Sequence, residues 1–198
     1  MKHSISAFEV HLGLNVDLSK HDSLSSEYEL FINPSYDFDE QYLACLANNM
    51  NHVPLSVTFY SNLEKNLAPN KKSYLSITTL AGYDFWTGSL DKEYLDRKEL
   101  FADILIKRVQ KFIPDLASHI EVKDIATPLT MERYTGNYKG AVFGWEQNVS
   151  QAGINRTDNF TPINNVYLVG AWTRPGAGIV GVLQSGERVA EYIVSTKK

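Results

Sequence analysis

The richest chemical signal lies near the end of the chain. A short apolar run, Val166, Tyr167, Leu168 and Val169, leads into Gly170, Ala171, Trp172 and Thr173, and then into a loop holding Gly176, Gly178 and Gly181. The order predicts a short buried strand, a glycine-rich loop and a helix. Such a loop lets backbone N–H groups approach a ligand closely. The positive end of the helix that follows favours negative charge at the same place.

The helix that follows carries Ile179, Val182, Leu183, Gly186, Val189, Ala190 and Ile193 on one face. Ser185, Glu187, Arg188 and Glu191 fall off that face and read as surface or rim. A glycine inside a helix costs about 1 kcal/mol relative to alanine. Gly186 therefore predicts a close approach to a neighbouring sheet. The stretch from Gly176 to Gly181 matches G-x-G-x-x-G literally, but it is not read as a dinucleotide fingerprint. That motif needs its glycines directly after a strand, a further strand after the helix and an acidic residue roughly 20 positions on. Here several residues separate strand from loop, and the sequence reaches Lys198 without another strand.

Other constellations are weaker. His3, His11, His21, His52 and His119 show no metal-ligand spacing, and no metal is expected. There is no G-x-S-x-G elbow and no phosphate-binding G-x-x-x-x-G-K-[ST] loop. Glu132 and Glu146 read as solvated or capping glutamates rather than as acid/base groups. The Asn-x-Ser/Thr matches at Asn148, Asn155 and Asn159 read as chance, since no signal peptide is expected from the N-terminal residues.

The elements that must position the loop are legible upstream. Period-two alternation predicts a strand over residues 7–16, and shorter strands are expected at 28–32, 55–60, 74–80 and 120–125. A short helix is expected over 39–49 with Asp39 as its cap. A long one is expected over 90–113, capped by Ser89 and stopped by Pro114. Its apolar face is Phe101, Ile104, Leu105, Val109 and Phe112. Acidic Asp91 and Glu93 near its start and basic Lys107, Arg108 and Lys111 near its end complement the helix dipole, so the basic cluster is no binding patch. Residues 127–147 show no clean period.

Composition narrows the classes. With 198 residues, 43% hydrophobic and 21% charged, the chain can bury a real core. A net charge of −4 without a basic stripe argues against nucleic acid as a partner. Eleven Tyr, nine Phe and three Trp suit either a plain aromatic core or an apolar ligand pocket. The single Cys45 permits no internal disulfide and fits a reducing, cytoplasmic setting. No run approaches the roughly 20 apolar residues of a membrane span. Peripheral membrane contact and a homodimer stay open.

The residues from Val166 to Ala190 resemble the C-terminal FAD-binding signature of the phytoene desaturase, carotenoid isomerase and retinol saturase group. In that signature a strand ends in Gly, a Thr-x-Pro-Gly-x-Gly loop follows and a helix carries Ser-Gly. Upstream, residues 127–137 and 140–147 resemble the carotenoid isomerase and retinol saturase branch. The resemblance implies FAD as cofactor and an apolar small-molecule substrate, a polyene or related lipid whose carbon–carbon double bonds are desaturated, saturated or isomerised. It places Gly170, Ala171, Trp172 and Thr173 near the ribityl-pyrophosphate, and Gly178, Ile179, Val180 and Gly181 at the start of a helix directed at the flavin ring. Tyr134, Tyr138 and Trp145 either line the flavin or substrate pocket or belong to the core. Many related flavoenzymes carry an acidic residue after the strand-end glycine, where this chain has Ala171-Trp172; that shifts the subfamily, not the family.

The fold expected is α/β to α+β. A largely antiparallel substrate-side sheet with helices occupies residues 1–126. The C-terminal strand, loop and helix of an FAD-binding domain occupy 127–198. The family's N-terminal Rossmann half is missing from this sequence, so the chain alone is expected to be inactive and to need that half in cis or in trans. The alternative is a non-catalytic lipid-binding or interaction module derived from such an enzyme.

Overall fold

The computed structural model describes residues 1–20, 28–88 and 90–196. Five strands form one sheet: β1 (Ser6–Leu14), β2 (Glu29–Ile32), β3 (Leu55–Thr58), β4 (Ser73–Ala81) and β5 (Ile120–Ala126). Their order is β2-β3-β4-β1-β5, and every neighbouring pair is antiparallel. Five α-helices accompany them: α1 (Phe38–Leu46), α2 (Tyr60–Leu63), α3 (Lys92–Val109), α4 (Pro128–Thr135) and α5 (Ile179–Thr196). The chain divides into two compact units. One is Ser6–Met131, and the other joins Met1–Ile5 to Glu132–Lys198.

In the first unit, β1 is an interior strand, paired with β4 on one side and β5 on the other. Val10 lies opposite Ile77 of β4 on one side and Ile125 of β5 on the other. Phe8, Val10, Leu12 and Leu14 are buried on one face, with Leu75 and Ile77 beside them. The helix α3 contributes Ala102, Leu105, Ile106 and Val109 to this core. Trp86 completes it: its ring stacks on Phe8 with centroids 5.3 Å apart, and its indole N–H donates to Asn48 Oδ1 at 3.0 Å. A fully buried indole needs such a partner.

Several expected boundaries move for identifiable reasons. Asp37, not Asp39, caps α1, because its extended backbone lets the carboxylate accept from the amides of Asp39 and Glu40, both at 3.0 Å. Ser89 lies outside the described residues; Asp91 caps α3, accepting from the Tyr94 amide at 3.2 Å. The expected strand over 55–60 stops at Thr58, and Tyr60–Leu63 turns into α2. Phe112 is half exposed, so the buried stripe of α3 runs through Ala102 and Ile106 rather than toward Phe112. Arg108 is more than a counter-charge to the helix dipole. Its guanidinium donates to the carbonyls of Met50 and Val53, both at 2.7 Å.

The second unit has little regular structure apart from α5. The strand expected over 166–169 does not form. Only Tyr167 bridges, to Phe160, and Val166, Leu168 and Val169 are 41%, 42% and 55% exposed. A strand is stable only when its backbone groups find a partner strand, and among the described residues this run finds a single bridge.

Candidate functional site

The segment around Gly170 is held by a small buried network of neutral polar groups. Gly170 has φ +102°, open to glycine and strained for other residues. Its carbonyl accepts from both the amide and the hydroxyl of Thr173, at 3.1 and 2.9 Å, closing a tight turn over Gly170, Ala171, Trp172 and Thr173. Its amide donates to Ser185 Oγ at 2.9 Å. Asn159 ties the rest together: its side-chain amide lies 2.9–3.0 Å from Leu168 O, Thr173 Oγ1 and Ser185 Oγ. Asn159, Thr173 and Ser185 are all essentially inaccessible to water. From sequence Ser185 reads as surface or rim of the terminal helix. It is instead the most buried residue of α5, because the helix turns a mixed stripe inward, Ser185 and Val189, and leaves Ile179, Val180, Leu183 and Val194 exposed.

Arg156 locks the same loop from the other side. Its Nε donates to Thr173 O at 3.1 Å, and its Nη2 lies 3.0 Å from Phe143 O, 3.1 Å from Trp145 O and 2.5 Å from Ala171 O. The side chain is 1% exposed, and burial disfavours its charge, lowering its pKa. A planar fork of donors suits such a carbonyl cage better than a point charge does. Its Nη1 is buried and finds no hydrogen-bond partner among the described residues. Next to it, Arg174 donates to Arg156 O at 3.0 Å and pairs with Asp158 at 2.7 Å. Backbone amides of Phe160 and Asn159, with the nearby Arg174 and Arg188, hold the Asp158 carboxyl below its ordinary range.

Trp145 and Trp172 meet edge to face with centroids 4.8 Å apart. Each indole is satisfied: Trp145 donates to Thr157 Oγ1 at 3.0 Å and Trp172 to Asn137 Oδ1 at 2.8 Å. Gly144 permits the crossing beneath them, since a Cβ there would lie 2.5 Å from Ala171 O. Tyr134 and Tyr138 do not join the pair. They are 79% and 63% exposed, so neither belongs to the core. Tyr134 stands under the Arg133 guanidinium and Tyr138 against His3.

Gly178, Ile179, Val180 and Gly181 stand where the loop becomes α5. Gly178 has φ +91°, and a side chain there would meet nothing within 4 Å. The first intrahelical bond runs from Val182 N–H to Gly178 O, so the leading amides have no partner within the helix. Open space at a glycine, helix-start amides without an intrahelical partner and a guanidinium nitrogen unpaired among the described residues fit an anionic or carbonyl-rich cofactor. The expected close approach at Gly186 is absent, since a Cβ there would also meet nothing within 4 Å. Among the described residues no group of three or more His, Cys, Asp or Glu gathers as a metal site, and no helix is long and apolar enough to cross a membrane.

Arg156, Asn159 and Ser185 were not singled out from sequence as site residues. The signal for Ser185 is the Ser-Gly step of the helix, which enters the expectation only as part of the family resemblance.

The chain is 33% identical over 134 residues to a chloroplastic prolycopene isomerase of Daucus carota, covering 67% of this chain and 22% of that protein. It is 26% identical over 187 residues to an all-trans-retinol 13,14-reductase of Danio rerio, covering 86% and 30%. It is 33% identical over 110 residues to a lycopene-forming phytoene desaturase of a Paracoccus species, covering 54% and 22%. The chain thus spans less than a third of the length of these curated relatives. A crystal structure of an oxidoreductase from Methanosarcina mazei aligns over 96% of this chain and 35% of its own, at 14% identity and a TM-score of 0.46. The family model for flavin containing amine oxidoreductases matches residues 52–194, well over half of the sequence. The chain belongs to the flavin containing amine oxidoreductase family.

Proposed function

We propose that this chain is the C-terminal part of an FAD-dependent oxidoreductase acting on carbon–carbon double bonds of a polyene or related apolar substrate, completed by an N-terminal Rossmann segment. On this reading residues 1–126 form the substrate side and residues 127–198 the C-terminal part of the cofactor site. The observation that carries it is the Gly170–Thr173 turn, fixed on one side by Ser185 and on the other by Arg156. A turn held this tightly presents backbone without needing the cofactor to order it.

Bound FAD would supply the redox chemistry. The chain's own residues would bind and orient it. Gly170, Ala171, Trp172 and Thr173 would run beside its linker, and Gly178, Ile179, Val180 and Gly181 would offer free amides and the positive helix end to its electron-rich edge. Tyr134, Tyr138 and Trp145 remain pocket candidates, with Trp145 favoured because it already packs on Trp172. The exposed apolar residues Leu168, Val169, Ile179, Val180 and Leu183 support a further layer here, since so many uncovered apolar side chains on neighbouring segments mark an interaction surface.

FAD titration tests the reading, with the chain alone and with a separately expressed Rossmann segment of a homologue. Flavin fluorescence quenching and a structured visible band should appear only, or far more tightly, with both present. If the mixture holds FAD no better than the Rossmann segment alone, the reading fails.

A further inference from the structure

The sheet carries a second feature that the cofactor reading does not use. Alternation along β1 sends Phe8, Val10, Leu12 and Leu14 into the core and leaves Glu9, His11 and Gly13 on the opposite face. There Gly13 lies opposite Tyr74 of β4 and Val122 of β5. Gly13 has no side chain, and a Cβ would sit 3.3 Å from Val122 Cβ. The result is a hollow between Tyr74 and Val122. Ala68 and Pro69 wall it, Lys72 and Glu121 form an ion pair on its rim, and its volume is about 340 Å³. That is the lower end of the range for small-molecule sites, and the lining is mainly apolar, as in such sites.

Tyr74 and His11 line this hollow, with Asp124, Lys72 and Glu121, and are joined by a hydrogen bond. Tyr74 Oη lies 2.9 Å from His11 Nδ1, and His11 Nε2 lies 3.3 Å from a Glu9 carboxylate oxygen. The Tyr74 ring stacks on Tyr60, centroids 5.2 Å apart, and its backbone amide donates to Ser61 Oγ, so the phenol is held in place. Asp124 lies opposite His11 in register. Glu9, by hydrogen bond and charge, and Asp124, by charge, raise the His11 pKa against the opposing effect of burial.

The direction of the phenol's proton follows from this chain of groups. With neutral His11, Nε2–H faces Glu9, Nδ1 accepts from the Tyr74 hydroxyl, and Tyr74 can offer a ligand only lone pairs. With protonated His11, Nδ1–H donates to Tyr74 Oη, and the hydroxyl is free to donate into the hollow. We propose that this hollow binds a small, largely apolar molecule bearing a carbonyl oxygen, with Tyr74 donating to that oxygen and with His11 and Glu9 setting which way the hydroxyl points. This is independent of whether the chain binds FAD.

The probe is benzalacetone, an aromatic ring with a short enone, titrated into the full chain and followed by its ultraviolet band. Its alcohol and 1-phenyl-1-butene serve as comparisons. Saturable binding with a red-shifted enone band is expected. Ketone affinity should rise about three- to tenfold as pH falls through the His11 titration, the range expected for one hydrogen bond. Affinity for the alcohol, whose hydroxyl can either donate to or accept from Tyr74, should change little over the same range. Tyr74→Phe keeps the ring and its stacking; it should retain the hydrocarbon, lose the ketone preference and lose the pH dependence. Ala68→Trp, on a loop, fills the hollow and should abolish binding of all three probes. The proposal is overturned if the ketone fails to saturate, if it binds Tyr74→Phe as well as the unaltered chain, or if Ala68→Trp leaves its affinity unchanged.

Discussion

Ser185 Oγ accepts the Gly170 amide at 2.9 Å, so a hydroxyl in the second turn of α5 fixes the turn that a cofactor would have to approach. The same oxygen lies within hydrogen-bond reach of Asn159 and Thr173. Loop and helix are therefore one rigid polar unit, and removing any member strands buried groups of the others. Ser185→Ala should lower stability by about 1–3 kcal/mol, the cost of leaving buried donors unsatisfied. Chemical denaturation measures it. Asn159→Ala combined with Ser185→Ala should cost clearly less than the two single losses added, because they share partners.

Arg156 should be still less replaceable. Its guanidinium meets four backbone carbonyls from the segments around residues 143–145 and 171–173. Arg156→Lys keeps the charge but not the fork, and leaves several carbonyls without a donor. A loss of about 3 kcal/mol or more is expected. The near-ultraviolet circular dichroism from the Trp145–Trp172 pair should collapse in the same variant, because both tryptophans sit on the segments that Arg156 joins. A variant that keeps that signal and melts with the unaltered chain would show that the carbonyl cage contributes nothing.

These two residues also show where the sequence stopped being legible. The sheet could be read, since along β1 Phe8, Val10, Leu12 and Leu14 alternate with Glu9, His11 and Gly13 and are all buried on one face. The antiparallel architecture and the glycine-rich loop followed by a helix could be read for the same local reason. Ser185 could not, because periodicity sorts residues by polarity and places a serine outside. Only the tertiary demand of the Gly170 amide and Asn159 brings it in. Arg156 lies in a polar, aperiodic stretch, and nothing local distinguishes an arginine destined for a carbonyl cage from one destined for solvent. The apolar run 166–169 had the composition of a strand, but composition does not supply a pairing partner.

The ion pair beneath Tyr74 gives a pH prediction with a definite sign. His11 has its pKa raised in the folded chain, first through the Glu9 hydrogen bond. A raised folded value means that the stabilisation is fully present below the unfolded pKa, about 6.5, and is lost as pH rises through the folded value. The stability difference between the unaltered chain and Glu9→Gln should therefore be larger at about pH 6 than above the folded His11 value. Both groups are partly exposed, so the difference should also shrink with added salt. Urea titrations at several pH values, paired with the histidine titration followed by NMR, read both effects.

Two glycines of the loop and helix should respond oppositely to the same substitution. Neither Gly178 nor Gly186 has an atom within 4 Å of where a Cβ would stand, so neither substitution is blocked by a clash. They differ in backbone alone. Gly186 is inside α5, where alanine is favoured over glycine by about 1 kcal/mol, and Gly186→Ala should raise stability by about that much. Gly178 has φ +91°, a conformation that L side chains rarely adopt. Gly178→Ala should cost about 1 kcal/mol or more through strain where the loop enters α5. If the open space at Gly178 is where a cofactor approaches, Gly178→Ala should also weaken FAD binding in the two-part assay beyond what its stability loss accounts for, while Gly186→Ala should leave that binding unchanged. An equal effect on FAD from both would place the ligand away from the start of α5.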